Sequence, residues 1–206
     1  MKIYFNIIGI ALLSIFLSAC SSLLTSNDDV HYFYVVNPVG DVIKAKRPAD
    51  TNLAVLDVKM PEWLDTQHII LRRGDNRIDY YAEARWATSA STMLTEIVSE
   101  SLIANHVARN LVGMHAGMNA DYLLVLEVTS FEAKYTSAEA PPTVEVAMHG
   151  KLLALPGEIL HYQFTVKNST KASSNNLSAI IRAFDSSTEA CLTDVVERTA
   201  HGLAVK

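Results

Sequence analysis

Cysteine is nearly missing from this chain: Cys20 and Cys191 are its only copies in 206 residues. Two thiols allow one disulfide, and none if Cys20 is otherwise engaged, so a hydrophobic core has to hold the fold. Basic charge is in deficit as well. Seventeen Lys and Arg face 22 Asp and Glu, a formal net charge of −5, which argues against nucleic acid as a partner, because that needs a concentrated basic face. Catalytic spacings are missing: there is no G-x-S-x-G elbow, S-x-x-K, H-E-x-x-H, Walker loop or G-x-G-x-x-G, the arrangements that activate a nucleophile, hold a zinc or cradle a phosphate. Beyond residue 20, apolar stretches are short or alternating, below the roughly 20 residues that cross a bilayer.

What is present begins at the amino terminus. Lys2 precedes an apolar run from Ile3 to Leu17, followed by Leu17-Ser18-Ala19-Cys20 and a polar stretch. Charged, apolar, then small is the layout of a removable secretory signal. Leu-Ser-Ala-Cys resembles the bacterial lipobox, in which the cysteine thiol receives a diacylglycerol and the chain is cut before it. The alternative is an uncleaved anchor that treats Cys20 as one more apolar residue. The expected organisation is a signal over 1–19, a lipidated Cys20 with a short tether over 20–29, and a single domain over 30–206. Acyl chains, each contributing about 0.8 kcal/mol per buried methylene, would hold the mature protein on a membrane. Ser21 and Ser22 stand where an inner-membrane retention signal carries aspartate, which favours the outer membrane. Without residues 1–19 the body has 187 residues, enough for one well-buried domain.

The body alternates strand-like and helix-like segments. Residues 30–36 read as a first strand and 51–61 as a second that stops at Pro61; 37–50 has loop composition. HIILRR and RIDYY, separated by Gly74-Asp75-Asn76, read as a hairpin. Arg73-Gly74-Asp75 is an adhesion-like triplet, but at a hairpin tip its residues serve the turn. From Ala84 to Leu111 the spacing of Leu94, Ile97, Val98, Ser101 and Leu102 predicts a helix ended by Gly113 and Gly117. Residues 121–131, 143–155 and 158–166 alternate as strands; the last two form an antiparallel hairpin with Leu160, Tyr162, Phe164 and Val166 inward. A polar loop over 167–176 leads to a long amphipathic helix carrying Leu177, Ile181, Phe184, Thr188, Cys191, Val195, Thr199 and Leu203, with Cys191 buried on its stripe. The expected fold is α+β, two-layer: a mainly antiparallel sheet with two long amphipathic helices covering one face.

Few residues select themselves as a site. The seven histidines make no i, i+3 or i+4 pair. His149 and His161 fall on facing strands of the last hairpin, on its polar face, where they and Glu145 offer an incomplete zinc set; two exposed histidines is the simpler reading, and no metal is expected. Glu96 and Glu100 share a helical turn and face solvent. Arg85 and Trp86 have the residue types of binding hot spots, and Tyr80 and Tyr81 point to opposite faces so that one joins them. The competing reading makes Trp86 a core plug at a strand-to-helix junction with Arg85 or Arg77 stacked on it. The loops 132–142 and 167–176 are the exposed contact candidates.

The segment 58–94 resembles the ABC-type transport auxiliary lipoproteins. The residues that carry the likeness are Val58, Pro61, Trp63-Leu64-Asp65, Gln67, Ile69-Ile70, Arg72, Ile78 and Arg85-Trp86-Ala87. Residues 120–133, ADYLLVLEVTSFEA, are similar to the second half of that family. The resemblance implies a non-catalytic outer-membrane lipoprotein facing the periplasm, without a cofactor beyond the covalent lipid on Cys20. It also implies service as a docking point for a mammalian-cell-entry (MCE) type lipid transport system, with an MCE-domain protein and an inner-membrane transport component as partners. Symmetric docking of a tube-like partner favours a homo-oligomer. A second reading, from another class, is a lipoprotein activator of a periplasmic cell-wall synthase.

Overall fold

The computed structural model describes residues 32–37, 49–112 and 119–205, which fall in one compact unit running from His31 to Lys206. The signal, Cys20, the tether and most of the 37–50 loop lie outside the described residues.

The organising element is β6 (Tyr122–Lys134), whose alternation sends Leu124, Leu126 and Val128 to one face and Leu123, Val125 and Glu127 to the other. On one side it pairs antiparallel along its length with β7 (Thr143–Ala154), which pairs antiparallel with β8 (Ile159–Lys171). The other side is shared. Its start pairs parallel with β2 (Ala49–Val55), its middle bridges Lys59 at Glu127, and its end pairs parallel with β3 (His68–Arg72). From β2 the sheet continues to β5 (Ala108–Val112); from β3 it continues to β4 (Ile78–Trp86) and then to β1 (Tyr32–Tyr34). The sheet is therefore mixed, with its long ladders antiparallel and its short pairings, apart from the β3–β4 hairpin, parallel.

Two helices, α1 (Ala90–Ala104) and α2 (Leu177–Ala204), supply the second layer. Ser89 caps α1 by accepting from the Thr92 amide, and Asn176 caps α2 by accepting from the Ala179 amide at 2.9 Å. Leu94, Val98 and Leu102 of α1 and Ile180, Phe184, Cys191 and Val195 of α2 share one core with Leu124, Leu126, Val128, Phe131, Val146 and Met148. The α+β, two-layer expectation holds.

Several boundaries differ from expectation. The first strand shrinks to Tyr32–Tyr34, an edge strand. The second ends at Val55 rather than Pro61, because the Val58 amide turns to the Thr95 hydroxyl of α1 at 2.9 Å while Leu56 and Lys59 still bond β6. The helix expected over 84–111 is confined to Ala90–Ala104. Ala84 to Trp86 complete β4 and pair with β1, and after His106, at φ 50°, the chain extends as β5 beside β2. Residues 167–171 are strand, since Lys167 to Lys171 complete the ladder with β7. A bulge between the Leu152 and Leu153 pairings carries Leu160 out of the inward row, to 52% exposure. The Gly74-Asp75-Asn76 turn forms as expected, with Asn76 at φ 63° and its amide on the Arg73 carbonyl.

Gly150 shows how closely β7 and β8 are fitted. A Cβ there would lie 2.2 Å from the Phe164 ring, which covers the glycine across the strands. Gly150→Ala is expected to lower stability by about 1–3 kcal/mol through overpacking, seen as a lower urea midpoint with an unchanged slope. Adding Phe164→Leu should recover part of the loss; a neutral Gly150→Ala would contradict the packing.

Candidate docking surface

The face of the sheet away from the helices is built from the other half of each strand's alternation. At one end it is apolar: Ala54, Val112 and Leu123 are buried, with Leu56, Val125, Leu153 and Leu155 partly so. Toward the end of β6 it becomes charged. Glu132, 1% exposed, accepts from Arg72 Nε at 3.0 Å and from the Ser130 hydroxyl at 3.2 Å, with Lys134 Nζ at 3.5 Å. The Arg72 guanidinium in turn lies 5.2 Å from the centre of the Trp63 ring. Glu145 on β7 takes Lys134 at 2.6 Å and Lys167 of β8 at 2.8 Å. Burial works to raise the Glu145 carboxyl, but the two lysines outweigh it and hold it at about 2.

A second network, packed against the helix-side core, ties loops to one another. The Tyr81 and Tyr135 hydroxyls lie 2.9 Å apart, Tyr135 donates to Asn175 Oδ1 at 2.8 Å, and Asn175 donates to the Ala138 carbonyl at 3.2 Å. Burial and the Tyr135 hydroxyl push the Tyr81 phenol upward, so it stays protonated. This fastens β4, the β6–β7 connection and the segment before α2 to one another. A cleft of about 350 Å³ opens beside it, lined by Arg73, Gly74, Asp75, Arg77 and Tyr135 to Ala138.

The four sequence candidates are separated by this geometry. Tyr80 is 51% exposed and its ring lies 4.3 Å from that of His68. Tyr81 is half-buried in the phenol network. Trp86 is 1% exposed, with Phe131 and Phe184 at ring separations of 5.4 and 5.2 Å, and so occupies the core. Arg85 is half-buried, on the face opposite Trp86, with Nε enclosed and without a hydrogen-bond partner. Its alternation along β4 prevents the expected stacking on Trp86; the cation–π contact falls instead to Arg72 and Trp63.

The histidine pair does not assemble. His149 faces outward and bonds the Thr165 hydroxyl at 2.9 Å, whereas the β8 bulge turns His161 to the carboxyl end of α2, where Nε2 meets the Gly202 and Val205 carbonyls at 3.1 Å. Among the described residues no group of three or more His, Cys, Asp or Glu converges on a point. Cys191 is fully buried, its thiol on the Val146 carbonyl at 3.0 Å and pushed up by burial to about 12. The loop expected over 132–142 begins only at Tyr135: Glu132 and Ala133 are buried and Lys134 is ion-paired.

Sequence reasoning missed Glu132 and the Tyr135–Asn175 link. The only hint for Glu132 was its place between apolar Phe131 and Ala133 in a strand; for Tyr135 and Asn175 nothing local pointed to a contact 40 residues apart.

These observations define a two-layer α+β body whose outer sheet face offers hydrogen-bonding and aromatic contact groups. Residues 35–196 match the ABC-type transport auxiliary lipoprotein component family, and the chain belongs to it. None of the curated proteins matches this chain. Among solved structures, a Xanthomonas campestris protein of family DUF330 superposes with TM-score 0.73 at 20% identity, covering 82% of this chain and 95% of that one. An uncharacterised protein follows with TM-score 0.62 at 13% identity, over 82% and 97% of the two chains. A hypothetical Chlamydia trachomatis protein gives 0.50 at 11%, over 77% and 100%. At these identities the likeness is one of fold. No helix of the described residues is long and apolar enough to cross a membrane.

The Glu145 pairings predict a pH dependence. Because its folded value lies below the usual 4.5, the carboxylate stabilises the fold above that pH and loses its contribution as the pH falls toward about 2. The gap in urea midpoint between wild type and Glu145→Gln should be full at neutral pH and close on acidification toward that value. A gap that does not change with pH would show that the carboxylate charge is not involved.

Proposed function

We propose that this lipoprotein is a non-catalytic docking subunit of an MCE-type lipid transport system, held at the periplasmic side of the outer membrane by a lipidated Cys20. The observation that carries the reading is the family match over residues 35–196; the lipobox-like Leu17-Ser18-Ala19-Cys20 supports the anchor. The geometry suits binding, which needs about 800 Å² per partner for a specific stable interface. Tyr80, exposed on a stacked His68, and the tethered loop 135–142 are the groups best placed to contribute. Tyr81 and Arg85 sit behind them and position the surface, while Trp86 supports it from the core. Association with further copies of the chain would let one docking collar surround a tube-like partner.

Labelled fatty acid fed to cells should mark the wild type and leave Cys20→Ser unmarked. A photo-crosslinker at Tyr80 is expected to capture an MCE-domain protein in intact cells. Deleting residues 137–140, which spares Glu132, Lys134 and Tyr135, should weaken that capture and sensitise cells to membrane-disrupting agents while leaving the urea midpoint close to wild type. Capture of a cell-wall synthase alone would overturn the transport reading in favour of an activator.

A further inference from the structure

We propose that Phe33 and Val35 rest on the lipid surface, so that the β1 edge of the body lies against the bilayer carrying its anchor. This rests on the reading of Cys20 as lipidated. The segment is held firmly from one side. Val36 is 1% exposed with its amide on Met93 Sδ at 3.4 Å, the Tyr34 carbonyl accepts from the Ala87 amide at 2.8 Å, and the Asn37 amide donates to Asp185 at 3.1 Å. With Tyr34 and Val36 facing the core, alternation turns Phe33 and Val35 outward. Strands with a buried face ordinarily offer polar residues on the other. Here Phe33 is 64% exposed and Val35 58%, next to Tyr32 at 57%.

β1 also ends the sheet: among the described strands it pairs with β4 alone, and such an edge needs cover. The direction of the chain identifies what covers it. Cys20 and Tyr32 are separated by 12 residue steps, so the anchor cannot lie farther than about 40 Å from β1 even at full extension. A body of this size has a radius of gyration of about 16 Å. Confinement within such a distance is equivalent to a local concentration in the millimolar range. Partition of two apolar side chains, too weak to recruit a free protein, then suffices to orient a tethered one.

The opposite edge provides the comparison. Ile159 and Leu160 of β8 are 68% and 52% exposed, as apolar as β1 but far along the chain from the anchor. The test uses the lipidated chain purified from cells, carrying Phe33→Cys or Leu160→Cys labelled with a polarity-sensitive dye. Acylated Cys20 and buried Cys191 leave the introduced thiol as the reactive one. The chain is reconstituted into phosphatidylethanolamine–phosphatidylglycerol vesicles containing lipid with brominated acyl chains, and flotation is scored separately from quenching. Flotation with emission at position 33 reduced by more than half, and little loss at 160, is the expected result. Flotation with equal emission loss at the two positions, or none at 33, overturns the seating and leaves the anchor standing. Failure to float overturns both. Val35→Cys carries the same expectation and replaces Phe33→Cys should that variant not fold.

Discussion

Three aromatic rings in mutual contact hold the two layers together. Trp86 ends β4, Phe131 lies near the end of β6 and Phe184 on the second turn of α2, and their ring centres are 5.1 to 5.4 Å apart, with Trp86 and Phe184 close to edge-on. Such pairs add to the area they bury through the fit of ring edge to ring face. Each ring comes from an element that has no direct ladder with the other two, since β3 separates β4 from β6. Within the sheet the β1–β4–β3 limb meets the β6–β7–β8 limb at the short pairing of Leu71 and Arg72 with Ala133 and Lys134, which this contact reinforces together with the Arg72–Glu132 and Tyr81–Tyr135 links. The position of β4, and of everything it displays outward, therefore depends on a core contact.

Small and polar residues set the register of the long helix on the sheet. Ser187 donates to the Val144 carbonyl at 3.3 Å and Cys191 to the Val146 carbonyl at 3.0 Å, giving α2 a fixed register on β7. Farther along, a Cβ on Gly202 would meet the Tyr162 ring at 2.6 Å, so only glycine permits the approach. The same closeness places the His161 ring against the last turn of α2, where it caps carbonyls that no helical partner reaches. Sheet and helix are thus registered at the middle and at the carboxyl end of α2.

How much of this the sequence conveyed depended on whether the signal was local. Strands β6, β7 and β8 and helix α2 were legible because alternation or three-and-four spacing runs through them for many residues. The Asn76 turn was legible from residue chemistry. The ends of α1 were not: the apolar residues of Ala84 to Trp86 and Leu111 to Val112 extend a helical pattern while serving strands whose pairing is set by β1 and β2. The bulge that turned out Leu160 and redirected His161 depends on the partner strand, and the exchange of the cation–π partner from Trp86 to Trp63 depends on which face each strand presents. Of the site candidates, residue type correctly marked β4 as a place where aromatic and basic groups gather. It could not tell that adjacent Arg85 and Trp86 look in opposite directions until the phase of β4 was known.

The outer face restricts how a partner can bind. Several of its charges already have partners within the body, Glu132 with Arg72 and Glu145 with Lys134 and Lys167, and near the β3–β4 turn Asp79 pairs with Arg73. Hydrogen bonding from the Tyr80 amide, followed by Arg73, keeps the Asp79 carboxyl below the usual range. A docking protein gains little by offering opposite charge to groups that are matched, and separating the buried Glu132 from Arg72 would leave an uncompensated charge. Contact energy must then come from groups whose apolar surface is still wet and whose position is fixed in advance. Tyr80, propped on His68, and the loop pinned through Tyr135 and Asn175 satisfy both conditions. In the proposed role, paired charges keep the face soluble and unselective, while specificity rests with a few rigidly held aromatic and backbone groups, where ordering on binding costs least.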